Sequence, residues 1–376
     1  MNIDTQIEDR ISMIRSVFLK EGGWRAARAL YLVGGFARGE GTADLHRGNL
    51  RIYNDVDLLA VAPRKTPSVL ARLWRVARRL NDGRFDHAVD LELATADEIR
   101  RTPSSIREFD LRSGSRLLWG QDFLAGLPDS GAWSLRQGDL VQLLFNRLAS
   151  LLFGLRESAI PVPRIPYLQV QISKPLLSMM AVTLGLEGRY VTDIEEQFHP
   201  LESAPGTKGT APLRLLLGQP EVKGLLEAAV EFKRRPKPDH FLPYGSSLRI
   251  VAGSFHGFIL RCLQDVYSAG EGCSAQAPVT AFRNRQPEGW RLFTRAWWVQ
   301  SIRAVQAGLR PAPSGWGPHP EVDVYSALAL WIDEHVRQEP TRWQKYARAN
   351  RSEDPLEEIE ILLKKWKSAA FDCRLR

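Results

Sequence analysis

The sequence predicts an α+β protein in which a mixed β-sheet near the N-terminus is followed by a mainly α-helical region. Up to about residue 125, short apolar runs alternate with amphipathic stretches, as expected for strands and the helices that cover them. Beyond about residue 135, apolar residues recur at helical spacing over long stretches, separated by Pro- and Gly-rich segments. We therefore expect two domains, over residues 1–130 and 135–376.

The N-terminal elements are predicted from apolar spacing and from the glycines that end each run. The spacing predicts helices over 3–20 and 67–80 and strands over 29–33, 55–61, 85–93 and 116–119. The polar residues between the first two strands predict a long connection.

The second part of the chain is predicted to be helical throughout. Helices are expected over 138–158, 172–187, 212–234, 246–268, 289–307, 321–338 and 355–370.

Composition excludes several classes of protein. Lys and Arg number 51 against 43 Asp and Glu, a formal charge of +8 that permits an anionic ligand without requiring one. Three cysteines without a CxxC pair argue against a disulfide framework and a cysteine zinc site. The N-terminus lacks the pattern of a signal peptide, and apolar runs fall short of the roughly 20 residues of a membrane span. We expect a cytoplasmic protein with free thiols and no membrane partner.

A glycine-rich turn follows the first predicted strand. Gly34 and Gly35 begin the segment Gly-Gly-Phe-Ala-Arg-Gly-Glu-Gly. Such a strand-to-helix turn exposes backbone N–H groups and lets phosphate approach without a Cβ in the way. The turn is therefore a candidate triphosphate site. Arg38 either binds phosphate or pairs with Glu40.

Acidic residues lie on each of the next two strands. Asp55 and Asp57 flank Val56, so both carboxylates project from one face of the sheet while Val56 points into the core. Two oxygen ligands on one face suit a magnesium ion. Asp90 or Glu92 on a neighbouring strand supplies a third carboxylate, and the shorter Asp90 is favoured.

These motifs together resemble the nucleotidyltransferase superfamily typified by DNA polymerase β, in its small-molecule and minimal branches. Gly34 and Gly35 match the family's glycine signature, Asp55 and Asp57 match its paired metal ligands, and Asp90 matches its third carboxylate. The resemblance covers roughly residues 28–120. Gly35 stands where serine is common, and the interval between the motifs is longer than in compact members.

The resemblance implies an enzyme that transfers a nucleoside monophosphate from a nucleoside triphosphate to an acceptor and releases pyrophosphate. It implies two magnesium ions at the acidic cluster. We expect ATP or CTP as the donor and a small-molecule hydroxyl, phosphate or phosphonate as the acceptor, lying in a cleft between the two domains. An insertion over residues 41–51 would add contacts to the acceptor or the nucleotide.

A weaker resemblance extends into the helical region. Lys174 follows the pattern of a helical-domain lysine that reaches the triphosphate, and Tyr190 matches an element that packs near the site. Lys174 would then bind the nucleotide, together with Gly34, Gly35 and Arg38.

Two alternatives remain open. The acceptor is a macromolecule, either a tRNA end or a protein side chain as in toxin–antitoxin systems, and a clustered basic surface around the cleft would favour it. Otherwise the chain is an interaction module that binds nucleotide without turning it over. The presence of all three acidic positions argues against such decay.

Overall fold

A computed structural model describes most of the chain. The described residues are 2–127 without 84, 86 and 101–104, then 131, 135–202, 217–267 without 238, 279, 320–337, 343, 352, 354–369 and 374–375. The helix expected over 289–307 lies outside them.

Up to residue 120, the described part of the chain contains six strands and the helices that cover them. The strands are β1 (Ala29–Val33), β2 (Ala43–His46), β3 (Asn49–Ile52), β4 (Val56–Ala62), β5 (Val89–Thr95) and β6 (Arg116–Gly120). The helices are α1 (Ile3–Lys20), α2 (Gly34–Ala37), α3 (Pro67–Leu80), α4 (Ala96–Arg100) and α5 (Ile106–Gly114), with a 3-10 helix at Gly23–Arg25.

The main sheet is mixed and has the strand order β6-β1-β4-β5-β7. β1 is antiparallel to β4 and β6, whereas β4 and β5 run parallel. Strand β7 (Arg374–Leu375), near the C-terminus, pairs with β5 and extends the sheet of the N-terminal part. The sequence did not indicate this strand, because two residues carry no alternation pattern.

The two faces of the sheet bury different residues, as alternation along the strands requires. Val56, Leu58 and Ala60 of β4 pack on the side covered by α1 and α3. Leu59 and Val61 point the other way, where they pack with Ile99 of α4. The α+β fold class predicted from the sequence is thereby confirmed at this level.

The long connection after β1 contains a hairpin that the sequence did not indicate. β2 and β3 form a separate two-stranded hairpin with Asp44 opposite Arg51, joined by an ion pair of 2.8 Å. Arg47 and Gly48 make the turn with φ values of 52° and 80°, a geometry that usually selects Asn-Gly. Arginine at the first turn position hid the hairpin from sequence analysis.

Long helices follow the sheet. They are α6 (Gln137–Ser158), α7 (Ile165–Leu186), α8 (Ile194–Glu202), α9 (Pro220–Arg234), α10 (Tyr244–Tyr267), α11 (Pro320–Arg337) and α12 (Pro355–Ala369). Four of them, α6, α10, α11 and α12, agree with the predicted spans to within two residues. The helix predicted over 212–234 begins only at Pro220, and residues 212–216 lie outside the described part of the chain. The helix predicted over 172–187 begins earlier, at Ile165, and α8 was not predicted.

Helix α6 is long and apolar enough, by length and composition, to cross a membrane. More than half of its apolar window is buried in the protein, against α7 and other helices. Core helices share this length and composition, so the helix is weak evidence for a membrane span.

The helical core reaches the N-terminal part. It includes Phe109 of α5, and Tyr53, just after β3, packs against it through an edge-on ring contact with Phe232 of α9. The contact brings α9 towards the residues that precede Asp55.

Candidate functional site

Three carboxylates converge at one end of the central strands. Asp55, Asp57 and Asp90 each offer an oxygen within 4.8 Å of the others. Asp57 and Asp90 are direct partners in the parallel β4–β5 register, so their side chains leave the same face. Asp90 is only 1% exposed, whereas Asp55 and Asp57 are half-buried. The arrangement predicted from the sequence is therefore present.

Hydrogen bonds hold the start of β5 against the end of α3 and the start of β4. The Asn81 side chain, at the end of α3, donates to the Val89 carbonyl at 2.7 Å and accepts from the Val89 amide at 2.9 Å. The Val56 amide donates to the Ala88 carbonyl at 2.9 Å. These contacts place Asp90 beside Asp57.

Gly34 stands directly against the acidic cluster. Its φ of +69° lies in the left-handed region that favours glycine, and a Cβ there would sit 2.7 Å from Asp57 Oδ2. Only glycine leaves room for the carboxylate at this position.

Gly35 faces a cation that sequence analysis missed. A Cβ at Gly35 would lie 3.4 Å from Lys233 Nζ and 3.2 Å from the Glu40 carbonyl oxygen. Lys233 belongs to α9, far along the chain from the glycine turn. No local signal in the sequence distinguishes it from the other lysines.

The charges of the site act on Lys233. Burial lowers the pKa of its ammonium group, while Glu40, Asp55 and Asp57 raise it and Arg38 lowers it. The Lys233 ammonium group therefore interacts electrostatically with both paired acids and with Arg38 and Glu40, which follow the glycine turn. Lys233 therefore places a cation from the helical region close to the glycine turn and the acidic cluster.

Arg38 is engaged by protein carboxylates. Its guanidinium contacts Glu40 at 3.1 Å and Asp110 at 3.3 Å, which confirms the pairing with Glu40 that was one of the two expectations for Arg38. Asp110 also accepts from the Tyr190 hydroxyl at 2.7 Å, and Glu40 accepts from the Ile194 amide at 3.0 Å. This Arg38 network ties the segment after the glycine turn to α5 and to the residues before and at the start of α8. Phosphate binding by Arg38 stays a prediction.

Burial shifts the pKa of two groups in the Arg38 network. It raises the pKa of Asp110 to about 6, although the Arg38 charge and the Tyr190 hydrogen bond oppose the shift. Burial and the neighbouring Asp110 raise the pKa of Tyr190 well above its usual value. Tyr190 is 4% exposed and therefore acts here as a buried hydrogen-bond donor.

The raised pKa of Asp110 predicts a pH-dependent stability. Because the folded state holds this proton more tightly than the unfolded chain, the group's contribution is full below about pH 4 and is lost as pH rises through 6. We expect the unfolding free energy of wild type minus that of Asp110→Asn to rise by about 1 kcal/mol between pH 7 and pH 5. Urea unfolding at both pH values measures it.

Asp44→Asn is the matched control for this titration. The hydrogen bonds from Arg51 and Tyr53 lower the pKa of Asp44 despite partial burial. Its difference from wild type should therefore not rise between pH 7 and pH 5. If the difference in unfolding free energy between wild type and Asp110→Asn does not change between pH 7 and pH 5, the raised pKa of Asp110 is contradicted.

Glu92 and Lys174 occupy other surroundings. Glu92, 6% exposed, forms an ion pair with Arg107, and it does not belong to the described group of three acids. Lys174 is half-buried in α7, and its carbonyl accepts from the Ser178 hydroxyl at 2.8 Å. A nucleotide contact by Lys174 stays a prediction.

The donor set suits a hard divalent cation. Three carboxylate oxygens close together repel one another unless a cation lies between them, and oxygen ligands are those that Mg²⁺ prefers. The glycine turn beside them supplies backbone close to the same point, and Lys233 supplies a positive charge. The site can therefore bring a metal ion and an anionic phosphate chain together.

Comparison with known proteins identifies no relative. No family model, curated protein or solved structure matches the chain.

Proposed function

We propose that this protein is a magnesium-dependent nucleotidyltransferase that moves a nucleoside monophosphate from a nucleoside triphosphate to an acceptor. The observation that carries the proposal is the convergence of Asp55, Asp57 and Asp90 beside a glycine turn. An acidic cluster alone, or a Gly-Gly turn alone, would support this proposal much less. Together they are suited to hold a metal ion and a triphosphate at one point. The N-terminal part is then the catalytic domain, and the helical part completes the cleft.

The three aspartates are the residues that would hold magnesium, and the family resemblance implies two ions. Bound magnesium supplies positive charge that neutralises phosphate oxygens. The fit rests on the oxygen-only donor set and on the separations below 4.8 Å.

The proposed reaction is an in-line displacement at the α-phosphorus. An acceptor oxygen forms the new P–O bond. A hydroxyl acceptor would pass its proton to water or to a carboxylate of the site, whereas a phosphate or phosphonate acceptor would attack as the anion. The bond from the α-phosphorus to the α,β-bridging oxygen breaks, and its electron pair leaves with pyrophosphate. Such chemistry needs mainly positioning and neutralisation of charge.

The protein's own groups would position the triphosphate. The Gly34-Gly35 backbone allows phosphate to approach closely, and Lys233 would place an ammonium group beside it from α9. This is the nucleotide-binding role that the sequence suggested for Lys174. The position of Lys233 beside Gly35 favours it for that role.

A small molecule is the favoured acceptor, with ATP or CTP as donor. A protein side chain or an RNA end is the alternative acceptor, and a nucleotide-binding module without turnover is the alternative function. All three acids stand in place, which supports turnover over decay.

Binding of each triphosphate with and without Mg²⁺ tests the proposal. We expect at least one of ATP, CTP, GTP and UTP to raise the melting temperature, with a larger shift when Mg²⁺ is present. Transfer of label from the α-phosphate of that nucleotide into an acceptor fraction then separates turnover from binding. If none of the four nucleotides raises the melting temperature above that of the protein with Mg²⁺ alone, the proposal is wrong.

Gly34→Ala should weaken Mg²⁺-dependent triphosphate binding by at least tenfold. The new Cβ would meet Asp57 Oδ2 at 2.7 Å and displace a metal ligand, and a misplacement of about 1 Å can cost roughly a hundredfold in rate. Calorimetric titration with the bound nucleotide and Mg²⁺ measures the loss.

Gly48→Ala controls for backbone strain. Gly48 has a similar φ of +80°, but a Cβ there meets nothing within 4 Å. Both variants carry the strain of alanine at positive φ, about 1–2 kcal/mol, so both lose stability. Only Gly34→Ala should lose affinity, and equal affinities would remove Gly34 from the site.

A further inference from the structure

A second basic feature lies on the N-terminal part, outside the acidic site. A surface cleft of about 600 Å³ is lined by Arg25, Arg72, Arg75, Arg78 and Arg79, with Glu21 and Asp82 as its two acids. We call it the arginine cleft. None of the three aspartates of the candidate active site lines it.

The arginines of α3 share one helix face. Arg72, Arg75 and Arg79 are spaced by three and four residues, so they stand one above another on the surface. Leu73 and Leu80 on the other side of the helix are buried in the core. The helix therefore presents a basic stripe whose axial length is about 10 Å.

Carboxylates neutralise little of this charge. Within the described part of the chain, Arg79 is the only one of the five with an acid at ion-pair distance, Glu21 at 3.9 Å. Arg38, by comparison, contacts two carboxylates at 3.1 and 3.3 Å. The arginine cleft thus keeps a surplus of positive charge for an external anion.

Two exposed tryptophans contact arginines that line the arginine cleft. Trp74 is 44% exposed and Trp24 is 50% exposed. Arg78 lies over the Trp74 ring at 4.7 Å, and Arg25 lies over the Trp24 ring at 4.9 Å. Two of the arginines that line the cleft therefore each contact a large exposed aromatic surface.

We propose that the arginine cleft binds single-stranded nucleic acid. Arginine guanidinium groups contact phosphates along the strand, and the exposed tryptophan rings offer surfaces on which bases stack. The combination of a basic groove with aromatic side chains is the chemistry that such ligands require. This site is separate from the proposed transferase activity and does not depend on it.

Other anions fit the cleft less completely. Free phosphate or polyphosphate would use the arginines but has no base to stack on Trp24 and Trp74. An anionic membrane would favour an apolar surface that enters the lipid, whereas the described lining residues of the cleft are arginines, two acids and a glycine. The tryptophans therefore decide in favour of nucleic acid.

Fluorescence anisotropy with labelled 20-nucleotide RNA and DNA single strands tests the proposal at several salt concentrations. We expect wild type to bind at least one of them, with affinity falling as salt rises. The variant Arg72→Gln/Arg75→Gln should lower the slope of log K against log salt by about 1.4, which is about 25-fold in affinity near 0.1 M salt. Trp74→Ala should lower affinity by about fivefold or more.

The charge-matched control is Arg64→Gln/Arg100→Gln. Both arginines are exposed and neither lines the arginine cleft, so the protein loses the same net charge elsewhere. This control should bind like wild type. Equal losses in both double variants would mean that binding follows net charge alone, and would overturn the proposed site.

Three further outcomes would also overturn it. They are no binding of either strand by wild type, full competition by inorganic polyphosphate together with an unchanged Trp74→Ala, and preferential binding to phosphatidylserine vesicles. Asp57→Asn should bind the strands like wild type, so the result stands apart from the fate of the transferase proposal.

Discussion

Asp57→Asn is expected to reduce turnover by about 10³ or more while the protein stays folded. The change removes one negative ligand from a site where three carboxylates lie within 4.8 Å. Charge stabilisation by a bound metal is worth several kcal/mol, and each 1.4 kcal/mol corresponds to a factor of ten in rate. The loss is measured as a lower rate of pyrophosphate release. The assay contains the nucleotide identified by thermal shift, together with metabolite or RNA fractions as sources of the acceptor.

The same variant should melt at a higher temperature than wild type in EDTA, because one of three mutually repelling charges is gone. Glu92→Gln is the matched control. It removes an acid from the same strand as Asp90, but from a residue paired with Arg107 rather than with the cluster. It should keep turnover within severalfold of wild type. Wild-type rates in Asp57→Asn, or an equal loss in Glu92→Gln, would contradict the assignment.

Lys233→Met is expected to lower the rate by about 10²–10³. The ammonium group lies 3.4 Å from the position of a Cβ on Gly35 and senses both Asp55 and Asp57. There it would face charge that develops on pyrophosphate as it leaves, and removal of one such electrostatic donor costs about this factor. Methionine keeps the volume of the side chain, so the helix packing should persist.

Lys174→Met is the comparison that separates the two candidate lysines. It makes the same chemical change on the neighbouring helix α7, at the position that the sequence favoured. Single-turnover rates and nucleotide affinity of both variants decide between them. A large loss in Lys174→Met with a normal Lys233→Met would return the role to the residue predicted from the sequence.

The acidic cluster could be predicted because it depends on local patterns. Asp55 and Asp57 share a face through strand alternation, and a buried neighbouring strand that carries Asp90 has few places to pair. Gly34 could be predicted because the chain must turn sharply beside these carboxylates.

Long-range contacts could not be predicted from the sequence in the same way. Lys233 reaches Gly35 only because α9 packs against α7 and the residues near β3, and nothing in its own sequence neighbourhood records that contact. The partners of Arg38 were likewise hidden, since Asp110 lies on another helix. The pairing of β7 with β5 joins segments that lie far apart in the sequence, and neither segment carries a local pattern that indicates the other.

Titration of the protein with Mn²⁺, followed by the electron paramagnetic resonance signal of the free ion, tests the central claim most directly. It needs neither the acceptor nor the correct nucleotide. We predict saturable binding by wild type and Glu92→Gln, and strongly weakened binding by Asp57→Asn and Asp90→Asn, because the ion requires the clustered carboxylates. Binding that is absent in wild type, or unchanged in both aspartate variants, would contradict a metal centre at this end of the sheet.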